Sequence, residues 1–336
     1  MGPILIWGAG AIGGTCGAYL KRAGHDVSFV DIVPEHVEAI RTTGLRITGP
    51  VDQFSVVAPA FLPEQVRGTW RHVFLAVKAL DTERATRMIL PVLAQDGSIL
   101  SLQNGLNETI ISRIAGRDRT IGAFVNYSTD WIAPGEVMFG SRSSVVLGEL
   151  DGTITPRLQE LHRVMLDFEP DAIISDNIWG YLWGKLGYGA MLFAQALGNK
   201  GISDCLARPE LLGVWRALAR EALEVAAAEG VRVEKFPMFD PAAFMPDAPP
   251  SAAREAVARI VELNRHSAKT HSGIWRDLAV RKRRTAVDMQ IAPIAEIGAR
   301  RGIATPTVCK LVALIHEVEA GRRSLSDDNL LELLNP

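Results

Sequence analysis

Lys185 is the sole charged side chain between Asp176 and Lys200, inside the apolar run Gly180-Tyr181-Leu182-Trp183-Gly184-Lys185-Leu186. An ammonium in such surroundings is either the charged stripe of an amphipathic helix or a desolvated proton donor. Burial moves an ammonium toward the range useful for acid catalysis. Two further polar groups close apolar runs: Lys78 in Val77-Lys78-Ala79, and Asn104 in Gln103-Asn104-Gly105. Each has a plainer reading, Lys78 as a solvated strand end and Asn104 as half of an Asn-Gly turn. Their shared position matters, because ligands of open α/β sheets gather outside the carboxyl ends of the strands.

The amino terminus carries a second chemistry. An apolar run, Pro3 to Trp7, leads into Gly8-Ala9-Gly10-Ala11-Ile12-Gly13, and the next apolar run ends at Asp31. Gly8 permits a tight turn, Gly10 lets backbone amides approach a pyrophosphate, and Gly13 lets helix and strand pack closely. The helix N-terminus then faces the phosphate charge. Strand, turn, helix, second strand and terminal carboxylate in that order predict a dinucleotide site. Asp31 would accept hydrogen bonds from a ribose 2′-hydroxyl and repel a 2′-phosphate, and Arg41 is the one Lys or Arg among the next ten residues. NAD(H) is therefore expected over NADP(H). The same carboxylate is placed to cap a helix starting near Pro34, and the two roles are compatible.

These groups need elements to carry them. Strands are expected at Pro3–Trp7, Val27–Asp31, His72–Val77, Ser98–Leu102, Thr120–Val125 and Ala172–Ile174, with a hairpin of Leu45–Ile47 and Phe54–Val57. Helices are expected at Thr15–Ala23, Pro34–Arg41, Thr82–Leu93, Glu108–Ile114 and Pro156–Phe168, while Gly135–Leu150 reads as two extended pieces around a turn. Strands separated by helix-length segments imply a parallel, doubly wound sheet. After Ser175 the pattern turns wholly helical: Asp176–Gly198, Leu211–Glu229, Ala252–Ala268, Pro293–Arg301 and Thr307–Ala320, with Phe236–Pro250 a loop and Ser326 capping a last short helix. The fold class is thus α/β, a Rossmann domain over residues 1–175 followed by an all-helical domain over residues 176–336, with ligands expected in the cleft between them.

Composition narrows the function. Of 336 residues 48% are apolar and 22% charged, a globular balance with room for two cores. The net charge of −2 supplies no basic field for nucleic acid or anionic membrane. Cys16, Cys205 and Cys309 are too few and too scattered for a metal site or disulfide frame. Cys16 reads as a small buried apolar residue. Met1 runs almost directly into the first strand and no stretch is long and apolar enough to span a bilayer, so a cytoplasmic protein without signal peptide is expected. The expected partner is a small-molecule substrate, with room for a homodimer. The cluster Arg276, Arg281, Lys282, Arg283 and Arg284 reads first as a solvated helix face, and otherwise as a clamp for a substrate carboxylate. His271 and Ser272 would line the cleft or cap a helix.

Taken in order and spacing, Gly8-Ala9-Gly10-Ala11-Ile12-Gly13-Gly14, Val77-Lys78-Ala79, Gln103-Asn104-Gly105-Leu106, Leu182-Trp183-Gly184-Lys185-Leu186 and Asp277 with Thr285-Ala286-Val287-Asp288 resemble the ketopantoate reductase family. The likeness covers nearly the whole chain. It implies reduction of a 2-oxo acid by NADPH, with Lys185 as proton donor and Lys78 and Asn104 at the nicotinamide end. It also places Ser128 near a cofactor contact and Asp277 in the substrate region. Departures from the family pattern are equally specific. Gly189 and Phe193 stand where it has asparagines one and two turns past the lysine, Gly273 (beside Ser272) where it has serine, and Ala286 where it has glutamate. A site stripped of hydroxyl-recognising groups discriminates against ketopantoate. The expected substrate is a larger or more apolar 2-oxo or 2-hydroxy acid, with Gly189 and Phe193 bordering its space. Alternatives are ketopantoate reduction in pantothenate biosynthesis, with His271 or Ser272 replacing lost groups, and a non-catalytic dinucleotide sensor.

Overall fold

The computed structural model describes residues 2–265 and 270–336. The chain divides into two units, Met1–Ile178 and Trp179–Pro336. The first unit opens with β1 (Ile4–Trp7), α1 (Ala11–Arg22), β2 (Val27–Val30), α2 (Pro34–Thr42), β3 (Leu45–Thr48), β4 (Phe54–Val56) and β5 (Ala60–Phe61). It continues with β6 (Trp70–Leu75), α3 (Thr82–Ile89), β7 (Leu93–Ser101), α4 (Glu108–Ala115) and β8 (Thr120–Val125). It closes with β9 (Ser128–Ala133), β10 (Glu136–Ser141), β11 (Val145–Glu149), α5 (Pro156–Met165) and β12 (Ile173–Ile174).

Alternate residues of β1 serve two cores. Ile4 and Ile6 pack with Leu20 and Phe29 on one face, while Leu5 and Trp7 pack with Ile89 and Ile111 on the other. A strand buried on both faces reads as an unbroken apolar run, which is why Pro3 to Trp7 was legible. The main sheet has the order β12-β11-β8-β7-β6-β1-β2-β5. From β5 through β8 the pairing is parallel, and β11 runs antiparallel to β8. The chain leaves β1 toward β2 and β5, then crosses back to β6. The reversal opens a crevice at the carboxyl ends of β1 and β6.

A second sheet, β4-β3-β10-β9, covers α1 from the other side. Gly13 through Leu20 are consecutively buried as a result. A Cβ on Gly17 would lie 2.5 Å from the Phe29 ring of the main sheet, and one on Gly14 would lie 3.4 Å from Leu45 of the small sheet. Small residues are required on both faces of this helix. β9 and β5 were not foreseen, and the two extended pieces of Gly135–Leu150 fall in different sheets as β10 and β11. Sheet membership is a non-local property that neither segment encodes. The first helix starts at Ala11, four residues earlier than expected, and β6 stops at Leu75, so Lys78 sits beyond the strand in the turn before α3.

The second unit holds α6 (Ile178–Gln195), α7 (Ile202–Leu206), α8 (Leu212–Ala228), α9 (Pro250–Arg265), α10 (Gly273–Ala279), α11 (Val287–Gln290), α12 (Ala292–Arg301) and α13 (Pro306–Glu319). The short helices α7, α10 and α11 were not foreseen, because each is too brief to show a period. The end of the helix expected over 252–268 lies outside the described residues. The Ser326 hydroxyl accepts from the Asp328 amide at 3.2 Å and caps the closing 3₁₀ segment. The basic cluster is not a helix face: α10 ends at Ala279, and Arg281 and Arg283 turn back onto Asp277. Among the described residues no helix is long and apolar enough to cross a membrane.

His72 on β6 is 2% exposed, and neither ring nitrogen has a partner among the described residues. Burial lowers its pKa. The unfolded chain takes up a proton near pH ~6.5, before the folded one does. Stability is therefore lost as pH falls through that value toward the folded pKa. Replacing His72 with Leu should flatten the fall in melting temperature between pH 7 and pH 5 without costing stability at pH 7, since it removes two unsatisfied polar atoms. Melting curves at three pH values check this; an unchanged slope would exonerate His72.

Candidate active site

The glycine loop follows β1 at the crevice. Gly8 and Ala9 donate their amides to the Val30 carbonyl at 2.8 and 3.1 Å. Gly8 has φ +103°, and a Cβ there would stand 2.8 Å from the Ala76 carbonyl carbon beyond β6. A Cβ on Gly13 would stand 2.1 Å from the Gly8 oxygen, so α1 meets the loop at a distance only glycine allows. Gly10 differs: a Cβ there meets no heavy atom within 4 Å. It is also the N-cap residue of α1, with no side-chain cap and no acidic residue in the first turn. The amides of Ala11 and Ile12 have no acceptor among the described residues and give this end a partial positive charge. The site fits a pyrophosphate.

Asp31 follows β2. Its Oδ1 accepts from the Val33 amide at 3.1 Å, and Oδ2 has no partner among the described residues. One oxygen thus serves the start of α2 while the other is free for a hydroxyl donor. Arg41, in the last turn of α2, is paired with Glu38.

Lys78 follows β6 and Asn104 follows β7, both exposed. A buried polar network joins their loops. Gln103 Nε2 donates to the Val77 carbonyl at 2.9 Å and to Thr82 Oγ1 at 2.8 Å. Thr82 Oγ1 lies 2.8 Å from Asn107 Oδ1, and Asn107 Nδ2 donates to the Asn104 carbonyl at 2.7 Å. Gly105 turns the chain with φ +103°. Ser128 opens β9 and is half-buried. Its neighbours hold it to α1: the Tyr127 hydroxyl donates to the Ile12 carbonyl at 2.9 Å, and Thr129 Oγ1 lies 2.8 Å from Thr15 Oγ1. Gly8, Asp31, Lys78, Asn104 and Ser128 thus all lie just past the carboxyl ends of main-sheet strands. The supporting residues Thr82, Asn107, Tyr127 and Thr129 carried no signal in the sequence, since each acts on a distant segment.

In the second unit α6 is buried along most of its surface. Its half-exposed positions past the first two residues are Tyr181, Lys185, Gly189 and Leu192, about one turn apart and hence one stripe. A Cβ on Gly189 would find just Ile291 Cδ1, at 4.0 Å, so space lies open one turn from Lys185. Burial, reinforced by Glu234, raises the Tyr181 phenol above its usual pKa, which keeps its proton in place. Phe193, expected beside this space, is 1% exposed and packs in the interior. It lies about 80° around the helix from Lys185, and Leu192 takes the accessible position instead. Ser272 is 4% exposed, and its Oγ accepts from the Trp275 amide at 3.1 Å as the cap of α10. Asp277 is 7% exposed, with Oδ1 accepting from Arg281 Nη1 and Arg283 Nε, both at 3.0 Å. Those two arginines are occupied by this carboxylate. His271 packs against Trp275 with ring centres 4.0 Å apart and the ring planes tilted by 36°. Among the described residues no group of three His, Cys, Asp or Glu side chains could hold a metal ion.

Residues 4–152 match the family described as Ketopantoate reductase PanE/ApbA, and residues 177–319 match Ketopantoate reductase PanE/ApbA C terminal. The chain is 28% identical over 320 residues to the 2-dehydropantoate 2-reductase of Archaeoglobus fulgidus, covering 95% of this chain and 98% of that one. The crystal structure of a PanE/ApbA family ketopantoate reductase from Ralstonia eutropha is similar, with a TM-score of 0.80 at 28% identity over 96% of this chain and 100% of the other. D-mandelate dehydrogenase, solved in a ternary structure with NADH and anilino(oxo)acetate, has a TM-score of 0.82 over 95% and 98% of the two chains. Its 22% identity makes that a likeness of fold.

The two glycines should separate binding from folding. Gly10→Ala should melt like the wild type yet bind NADH about tenfold more weakly or worse, whereas Gly13→Ala should lose about 3 kcal/mol of stability through overpacking. Paired calorimetry and fluorescence titration read both quantities; equal NADH affinity in Gly10→Ala would remove the loop from the site.

Proposed function

The chain belongs to the ketopantoate reductase family, and we propose that it interconverts a 2-oxo acid carrying an apolar side chain with the matching 2-hydroxy acid, preferring NAD(H) to NADP(H). The observation that carries the substrate reading is the accessible stripe of α6. Past Lys185 it offers the open space at Gly189 and then Leu192, where a hydroxyl-recognising site would present polar groups.

In this reading residues 8–13 and Asp31 hold the dinucleotide, which supplies the hydride when bound. Lys185 gives its proton to the oxygen that gains negative charge as the carbonyl is reduced, and takes it back in the oxidative direction. The Asn104 amide, whose side chain has no hydrogen-bond partner among the described residues, is available to donate to a bound ligand beyond β7. Lys78 adds positive charge at that end of the site. The free Oδ2 of Asp31 accepts from the ribose hydroxyls, and its charge opposes a 2′-phosphate. A reducing, cytoplasmic setting suits the three unpaired cysteines, two of them buried.

Ketopantoate itself is the second reading, favoured by the names of the relatives that match along almost the whole chain. Retention of Lys185 argues against a sensor without catalysis. Turnover of a panel of 2-oxo acids with NADH and with NADPH decides among these. Apolar and aromatic 2-oxo acids should give higher kcat/KM than ketopantoate, with NADH the better donor; efficient ketopantoate turnover would transfer the assignment to the second reading. Lys185→Ala should lower kcat by about 10²–10⁴-fold while leaving NADH affinity within about twofold. A parallel loss of affinity would make Lys185 structural.

A further inference from the structure

His36 lies in the first turn of α2, outside every role assigned above. It is 0% exposed, and both of its ring nitrogens are engaged. Nε2 lies 2.8 Å from the Ala9 carbonyl oxygen, and the Gly135 amide donates to Nδ1 at 2.8 Å. A carbonyl only accepts and an amide N–H only donates, so the partners fix the tautomer: the proton is on Nε2 and is given to Ala9.

Ala9 is the middle residue of the glycine loop, and the direction of its carbonyl has a consequence one atom further on. The described chain contains no cis peptide. In a trans peptide the carbonyl and the following N–H point in opposite directions. With the Ala9 oxygen held inward on His36, the Gly10 N–H is turned outward. That N–H has no acceptor among the described residues, and Gly10 is where a Cβ would meet open space. Gly14 makes room for the arrangement: a Cβ there would stand 2.6 Å from the Ala9 oxygen.

We propose that His36 is a positioning residue for dinucleotide binding, holding the Ala9–Gly10 peptide in the orientation that aims the Gly10 amide at the pyrophosphate. The proposal rests on the dinucleotide reading of the loop. The rival role is a purely structural one, in which His36 serves to pin the turn between β9 and β10 through Gly135.

Two amide substitutions separate the roles. The amide of Gln reaches the position of Nε2 and can still donate to Ala9. The amide of Asn reaches the position of Nδ1, and can accept from Gly135 without reaching Ala9. Wild type, His36→Gln, His36→Asn and His36→Phe are titrated with NADH and with NADPH, each with a melting curve. The expected result is a Gln variant within about threefold of wild-type affinity, and Asn and Phe variants at least about tenfold weaker. Nitrogen-15 spectra of the wild-type imidazole should show the proton on Nε2. Should Phe fail to fold, the Gln and Asn pair decides alone. An Asn variant of wild-type affinity beside a weakened Gln variant, or a proton on Nδ1, would overturn the proposal while leaving the dinucleotide site intact. A wild type that binds neither nucleotide would overturn the dinucleotide reading and this proposal with it.

Discussion

The burial of α1 between two sheets is the constraint on which the rest of the first unit depends. A helix sandwiched in this way has no solvent side, so the usual charged stripe is absent and eight consecutive residues are enclosed. Both faces must be thin. Gly13, Gly14 and Gly17 meet backbone or ring atoms at distances that exclude any larger residue. The same enclosure fixes the N-terminus of α1 in place, with its free amides at the mouth of the crevice. Core packing is met by Gly13, Gly14 and Gly17, while Gly10 leaves the space before the helix open.

The polar groups around that mouth are held by a small number of buried hydrogen bonds rather than by their own strands. Lys78 and Asn104 are exposed, yet the loops bearing them are joined through Gln103, Thr82 and Asn107. Such a network is costly to break, because each member would leave a partner buried and unsatisfied. It also ties the turn after β6 to the turn after β7, so that neither moves independently. Tyr127 and Thr129 do the same for the strand that begins at Ser128. The candidate side chains are accessible while the atoms that place them are enclosed, the division expected of a preorganised site.

The second unit shows the same economy on a single helix. α6 is apolar nearly throughout because neighbouring elements cover it, including the loop whose Phe239 would lie 2.9 Å from a Cβ on Gly187. One stripe escapes, and Lys185 is on it. The basic cluster downstream, which sequence alone reads as a solvated face, instead spends Arg281 and Arg283 on Asp277. Charge density along a chain says little about where the charges point once a short helix ends and the backbone turns.

Local physics determined a good deal by itself. The glycine spacing, the terminal Asp31, the alternation of strand and helix and the switch to helices after Ser175 are all set by short-range sterics and periodicity, and each is readable from a few adjacent residues. The family likeness was legible for the same reason, since its motifs are short. Tertiary structure alone decided the rest. The second sheet unites β3 with β10 across almost ninety residues. Leu192 rather than Phe193 shares the face of Lys185, and His36 reaches back to Ala9 while Gly135 comes to meet it. Those facts depend on which segments the core brings together, and burial is a property of the whole chain that no window of residues contains.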